Sequence, residues 1–210
     1  MKKINRDIVA LALNILIIIF EIIAFSVAIP ALGWSNLLYY TQWSNFLLML
    51  AAIAFSFYLI QRIKGKKNTV PGWAHSFKTC STLSVTVTFI VVITVLSWST
   101  GYGLVYLMTY SSMLYLHTLC PILALTSFFF FEEHKLTEKH LILKTLAFTI
   151  VYASIMLPLN ILKIVDGPYP FLRVHQQPVW ASILWIVLIM GGASLLAKAF
   201  IFAKQKLNRN

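Results

Sequence analysis

Acidic residues are almost missing from this chain. Six Asp and Glu stand among 210 residues, and all charged residues together make up 11%. Soluble domains carry about 25% charged and about 45–50% apolar residues. Here the apolar share is 60% and the mean hydropathy is +0.82. A soluble fold of this size could not hide so much apolar surface, so a membrane protein is the direct reading. Cysteine is scarce too: Cys80 and Cys120 are the 2 present. They fall at different depths of the apolar stretches, which argues against a disulfide and for packed free thiols. No His, Cys, Asp and Glu spacing of metal-ligand type occurs, so no metal and no other cofactor is expected. His134 and His140, grouped with Glu132, Glu133 and Glu138, read as solvated interfacial charge. Internal repeats, low-complexity tracts and long hydrophilic loops are absent, which speaks against a separate soluble domain.

What the chain does have is six apolar stretches, each near the roughly 20 residues a spanning helix needs. They lie near 8–29, 37–60, 79–98, 113–131, 141–164 and 179–203. The expected fold is all-α: a polytopic membrane protein, one domain over 1–210, built as a six-transmembrane-helix bundle. The first stretch is longer than the about 7–15 residue core of a signal peptide and is interrupted by Glu21, so it reads as a retained span.

The net charge of +11 raises the question of nucleic acid, and the placement of the charge answers it. Basic residues gather at Lys2, Lys3 and Arg6, at Arg62, Lys64, Lys66, Lys67 and Lys78, at Lys135, Lys139 and Lys144, and at Lys198, Lys204, Lys206 and Arg209. These groups fall in alternate connections. Only Lys163 and Arg173 lie on the other side. The positive-inside rule then puts both termini in the cytoplasm, which an even number of spans requires. Nucleic acid is not an expected partner.

Two polar residues sit at matching depths. Thr41, in Tyr39-Tyr40-Thr41-Gln42-Trp43-Ser44-Asn45, lies about four residues inside the second span. His117, in Tyr115-Leu116-His117-Thr118-Leu119-Cys120-Pro121, lies about four inside the fourth. At 1.5 Å per residue both are roughly 6 Å below the outer boundary. Thr41, Ser44 and Asn45 share one helical face. That face should point into the bundle, because unsatisfied polar groups in hydrocarbon are costly. The structural alternative is packing glue between helices, worth on the order of 1 kcal/mol per bond. An ionisable residue inside a span is a functional candidate by default, and a neutral imidazole accepts a proton. The alternative is a histidine bonded for packing. Pro121 removes the backbone bond to the His117 carbonyl and favours a kink there.

Glu21 is a third intramembrane candidate, with Asn14 seven residues away on the same face. It either orients His117, in the manner of a triad's third member, or serves as a hydrogen-bonded helix contact. Thr79, Ser81, Thr82, Ser84, Thr86 and Thr88 read as packing residues that back-bond to their own helix. The segment Asp166-Gly167-Pro168-Tyr169-Pro170-Phe171-Leu172 reads as a turn with interfacial aromatics, on the side of Thr41 and His117.

Tyr40-Thr41-x-x-Ser44-Asn45, then His117 with Pro121 downstream, then Tyr169-Pro170-Phe171-Leu172 give the chain a resemblance. In that order, over its whole length, it resembles the androgen-induced and androgen-dependent membrane proteins. These are intramembrane threonine hydrolases of fatty-acid esters of hydroxy fatty acids, and the likeness is greatest to their six-helix bacterial relatives. The resemblance implies Thr41 as nucleophile and His117 as its partner. It implies a substrate with a long acyl chain and an ester remote from the carboxylate, and a place in a bacterial plasma membrane. Eukaryotic members carry one more residue between the histidine and the proline. Arg173 stands where relatives tend to carry an acidic residue, and at the outer interface it suits a substrate carboxylate.

The chemistry that follows is concrete. A threonine hydroxyl needs a base to become a nucleophile. General base action by His117 is worth about 10²–10⁴-fold. Ser44 or Asn45, one turn away, are expected to support the oxyanion, with Tyr169 and Arg173 meeting the substrate. An acyltransferase is the close variant. Two other readings use the same residues: a small transporter or binding protein for an amphipathic ligand, and a non-catalytic scaffold. The expected partners are the membrane and a lipid or amphipathic small molecule. The oligomeric state is left open.

Overall fold

The computed structural model describes residues 3–133 and 141–207. His134, Lys135, Glu138, Lys139 and His140 lie outside the described residues. Helix α1 spans Lys3–Leu32 and passes into a 3-10 turn at Gly33–Leu38; α2 spans Tyr40–Ile63. Helix α3 spans Gly72–Val91 and continues through a π-turn at Val92–Leu96 to Ser99. A short helix, α4, covers Leu104–Thr109. Helix α5 is Leu114–Phe131, with π-turns at Leu114–Leu119 and Ser127–Phe131; α6 is Leu141–Ile161 and α7 is Val179–Leu207. Six of these are long and apolar enough to cross a membrane, and no strand occurs among the described residues. The protein is an all-α, multi-pass membrane bundle.

Element ends differ from the hydropathy reading for local reasons. Helix α3 begins at Gly72, seven residues before 79, with the extended Pro71 at its N-cap. Its first turns carry His75, Ser76 and Lys78 and are too polar to register as a span. Helix α2 begins at Tyr40 rather than 37, because Gly33 at φ +55° turns the chain out of α1 into the 3-10 segment first. A side chain at that backbone angle is strained, so glycine suits the position. Helix α6 stops at Ile161 rather than 164, and Lys163 takes the left-handed conformation just beyond it. Helix α4 was not foreseen; its six residues are too few to show a period.

Helix α1 buries Asp7, Ala10, Asn14, Ile17, Glu21, Ala24 and Ala28. The alternating spacing of three and four is the seam of a helix packed on a near-antiparallel neighbour. That neighbour is α2, whose Thr41, Asn45, Leu48, Ala52, Phe55 and Leu59 are buried at the same rhythm. Helix α3 is central: the apolar window of this span is 61% buried, against 6% for α7 at the periphery. Its hydroxyl residues are small enough for close approach. They back-bond as expected, Thr79 Oγ1 to the His75 carbonyl at 2.8 Å, Ser84 to Cys80 at 2.9 Å and Thr86 to Thr82 at 2.7 Å. Ile8, Ile22, Phe57, Leu195 and Phe202 are exposed on the outside, as a lipid-facing surface requires. Trp34 and Trp98, 88% and 85% exposed, stand at one end of the bundle in the manner of an interfacial belt.

At the end that carries the termini, the structure corrects two readings. Lys78, taken for a loop cation, is fully buried inside α3. Glu132, taken for solvated charge, is fully buried at the end of α5. Lys78 Nζ donates to Asn14 Oδ1 at 2.6 Å and stands 3.7 Å from Glu132 Oε1. The same oxygen accepts from Asn14 Nδ2 at 2.9 Å and Ser127 Oγ at 2.7 Å. Lys204 of α7, also buried, donates to the Phe129 and Glu132 carbonyls at 3.1 and 2.6 Å and so caps α5. Arg62 grips Asp7 through two nitrogens, tying α2 to α1. The charge asymmetry along the chain survives, since neither lysine moves to the far end.

Candidate active site at the far end of the bundle

Thr41 and His117 do share the far end. Thr41 is the second residue of α2, shallower than the four residues expected, and His117 is the fourth of α5. Asn45 links their helices: Nδ2 donates to the Thr41 carbonyl at 2.8 Å and to the Leu116 carbonyl at 3.2 Å. No hydrogen bond joins Thr41 to His117. The expected contact between nucleophile and base is not made in this state.

Thr41 faces an apolar cavity of about 110 Å³ lined also by Tyr152, Tyr169, Phe171, Trp185 and Met190. The Tyr169 hydroxyl accepts the Thr41 backbone N–H at 3.2 Å and lies 3.3 Å from Thr41 Oγ1. Tyr169 comes from the segment between α6 and α7. Gly167 lets that segment fold tightly, because a Cβ there would meet the Leu172 backbone at 2.7 Å. The Tyr169 ring stacks on Phe171 at 5.1 Å and meets Tyr39 edge-on at 5.8 Å. Two further hydrogen bonds order the wall: Tyr40 with Thr149 at 2.8 Å, and Tyr152 donating to the Leu38 carbonyl at 2.7 Å. Tyr40 entered the sequence reading only as part of a motif, and Thr149 and Tyr152 were missed, because a hydroxyl residue on an apolar span carries no sequence signal for which way it turns.

Burial pushes the Tyr169 phenol up to about 12, against the opposing pull of its Thr41 bonds. The folded value lies above the unfolded one of about 10. This group's contribution to stability is therefore complete below pH 10 and is lost as pH rises through about 12, because the unfolded chain ionises first. Tyr169→Phe is expected to make the alkaline loss of stability shallower between those values. Thermal unfolding of wild type and variant from pH 9 to 12 checks it, and parallel curves would contradict it.

His117 is buried, and its Nδ1 lies 2.6 Å from the Leu107 carbonyl of α4. Thr118 Oγ1 donates to the next carbonyl, Met108, at 2.7 Å. The last carbonyls of a helix lack intrahelical partners. Consecutive side chains of α5 thus cap α4. A neutral imidazole donating through Nδ1 keeps its lone pair on Nε2. Of the two roles open to Glu21, orienting His117 is not realised, since the His117 ring is held by the Leu107 carbonyl. Glu21 is fully buried, with the Cys120 thiol as the one polar group that meets its carboxyl and no further hydrogen bond to either oxygen. It serves as a helix contact between α1 and α5.

The expected supporting residues divide. Ser44 Oγ is engaged with the Thr41 carbonyl at 3.1 Å and Thr88 Oγ1 at 3.0 Å. The Asn45 amide is committed to two carbonyls. Neither side chain lines the cavity. Tyr169 does line it, whereas Arg173 does not: its Nε donates to the Gly167 carbonyl at 3.2 Å and clasps the turn. Cys80 and Cys120 are free thiols, and no His, Cys, Asp and Glu group that could hold a metal occurs among the described residues. No family model, no curated protein and no solved structure matches the chain.

Proposed function

We propose that the protein is an intramembrane hydrolase of a lipid ester, a fatty-acid ester of a hydroxy fatty acid or a similar compound, with Thr41 as nucleophile and His117 as base. The observation that carries the reading is the Thr41 hydroxyl in the wall of an apolar cavity, with the Tyr169 hydroxyl 3.3 Å away. A cavity of about 110 Å³ has room for an ester and a few methylenes. The acyl tail leaves it between α6 and α7, and α7 is the least buried span. The charge asymmetry of the chain favours a site on the outer face of the membrane, with the termini in the cytoplasm, and the resemblance implies that this is a bacterial plasma membrane.

The steps are those of acyl transfer. His117 Nε2 takes the Thr41 proton as Oγ1 attacks the ester carbonyl carbon. Tyr169 is the donor placed to steady the resulting oxyanion. The ester C–O bond breaks, and the imidazolium returns its proton to the leaving alkoxide. Water then attacks the acyl-threonine with His117 again as base, releasing the carboxylic acid and restoring Thr41. Catalytic hydrogen bonds are often long before substrate binds, so a closing movement of α5 toward α2 is part of this reading.

One observation favours a second reading. His117 does not line the cavity, and its Nδ1 contact is a helix cap. A binding or transport protein for an amphipathic ligand needs the cavity and no base. The deciding experiment is reaction of the purified protein with a long-chain fluorophosphonate, read by intact mass and peptide mapping. A single phosphonyl adduct on Thr41, with fluoride released, supports the hydrolase. A folded protein that stays unlabelled across several chain lengths points to the binding protein.

A further inference from the structure

One wall of the cavity beside Thr41 is thinly held. Helix α7 supplies Ser182, Trp185, Ile186, Ile189 and Met190 to its lining, and nothing beyond residue 190. These five belong to the half of α7 toward the far end. Over residues 179–190, Ser182 is the one buried side chain, and its hydroxyl has no hydrogen-bond partner. Among the described residues, the one ring contact of this half is Trp185 with Phe171, at 5.9 Å.

The other half of α7 is anchored. Ala193, Ala197 and Phe200 are buried in the main core, and the Phe200 ring lies 4.7 Å from both Phe128 and Phe129. One turn further, Lys204 holds the Phe129 and Glu132 carbonyls.

Gly191-Gly192 stands at the junction. Glycine inside a helix weakens it relative to alanine, because its backbone has more freedom to lose. A Cβ at either position would meet nothing within 4 Å. Close approach of a neighbour therefore does not require the glycines. Ser194 adds to the weakness: its Oγ donates to the Met190 carbonyl at 2.8 Å, a back-bond of the kind that bends helices. Sharp helix kinks occur at glycine and serine pairs. Two glycines that no neighbour demands, between an anchored half and a loose one, have the placement of a hinge.

We propose that α7 is a lateral gate: its far half swings away from the bundle about Gly191-Gly192 and opens the Thr41 cavity sideways to the lipid phase. Residues 179–190 carry no charge, so the parting wall is apolar and the entrant comes from the hydrocarbon of the membrane without crossing water. The gate rests on the cavity and not on the chemistry of Thr41. A Thr41 that fails to react with fluorophosphonate would remove the hydrolase reading and leave the gate.

The test uses the full chain in phosphatidylcholine vesicles with a membrane-soluble thiol reagent, N-phenylmaleimide, and adducts mapped by peptide mass. Val92→Cys puts a thiol on the α3 wall of the cavity, at a fully buried position. The native Cys80 and Cys120 do not line the cavity and serve as references. Gly191→Ala with Gly192→Ala is expected to slow reaction at position 92 by about tenfold, the effect of 1.4 kcal/mol, and to leave Cys80 and Cys120 unchanged. Gly191→Pro removes a helix bond at the hinge and is expected to speed reaction at position 92. Equal rates there with glycines and with alanines would overturn the proposal. So would equal slowing at Cys120, since the whole bundle would then be opening. A folded proline variant that reacts no faster than its parent would count against it as well. The alanines fit without a clash, so their arm decides if the proline variant fails to fold.

Discussion

Lys78→Met is expected to cost about 3–5 kcal/mol of stability, the range for removing one partner of a buried ion pair. The cost arises from what is left behind. Glu132 is fully buried, and Lys78 Nζ is the cation 3.7 Å from its Oε1. Without the lysine, that carboxylate keeps its bonds from Asn14 and Ser127 but loses one of its two nearby cations, with Lys204, held on the Glu132 backbone carbonyl at 2.6 Å, remaining. Asn14 Oδ1 also loses its 2.6 Å donor. The companion variant separates charge from packing. Adding Glu132→Gln to Lys78→Met removes both charges and retains a side-chain oxygen for Asn14 and Ser127, so most of the loss should return. The pair is buried, so added salt should change neither result much. Unfolding in mixed micelles, followed by loss of helical circular dichroism, reads all three proteins. A single variant as stable as wild type would show that the pair contributes nothing.

This network also shows where the sequence was legible and where it was not. The six spans were readable because lipid demands about 20 apolar residues and the chain contains six such runs. The polar interior was harder. Lys78 stands among His75, Ser76, Thr79 and Ser81, and so reads as the edge of a membrane; only the contacts of Asn14 and Glu132 put it inside. A sequence signal did exist. Asp7, Asn14 and Glu21 recur at intervals of seven on α1, and all three are buried. A polar stripe at seam spacing marks a face that meets other polar groups, and it foretold partners on α2, α3 and α5 without naming them.

The far end was legible in its parts and not in its pairing. Thr41, Asn45, His117 and Tyr169 were all singled out, and all lie near that end. Depth follows from counting residues, whereas contact depends on helix rotation, which hydropathy leaves open. The π-turn at Leu114–Leu119 is a case in point. Pro121 announced an irregular helix there, yet the widened turn and the short helix α4 together decide that His117 faces Leu107. A six-residue helix and a backbone carbonyl leave no sequence pattern, so Glu21 was the only orienting group in view.

If His117 is a base as well as a cap, the two roles can be separated by one substitution. His117→Gln is expected to slow fluorophosphonate reaction at Thr41 by about 10²–10⁴-fold, the usual worth of a general base. A glutamine amide can still donate to the Leu107 carbonyl, so α4 keeps its cap and the fold its stability. Alanine would remove base and cap together and could not distinguish them. Thr41→Ser retains a hydroxyl and should keep labelling, whereas Thr41→Ala should end it. Labelling rates are to be set beside thermal unfolding for each variant. A slow His117→Gln with wild-type stability assigns the imidazole to chemistry. A His117→Gln that labels as fast as wild type would make the histidine a cap alone, and Thr41 would then need another base. The Tyr169 hydroxyl is the group hydrogen-bonded to Thr41 Oγ1, but a phenol held up to about 12 stays protonated at neutral pH and cannot accept that proton. The hydrolase reading therefore stands or falls on His117.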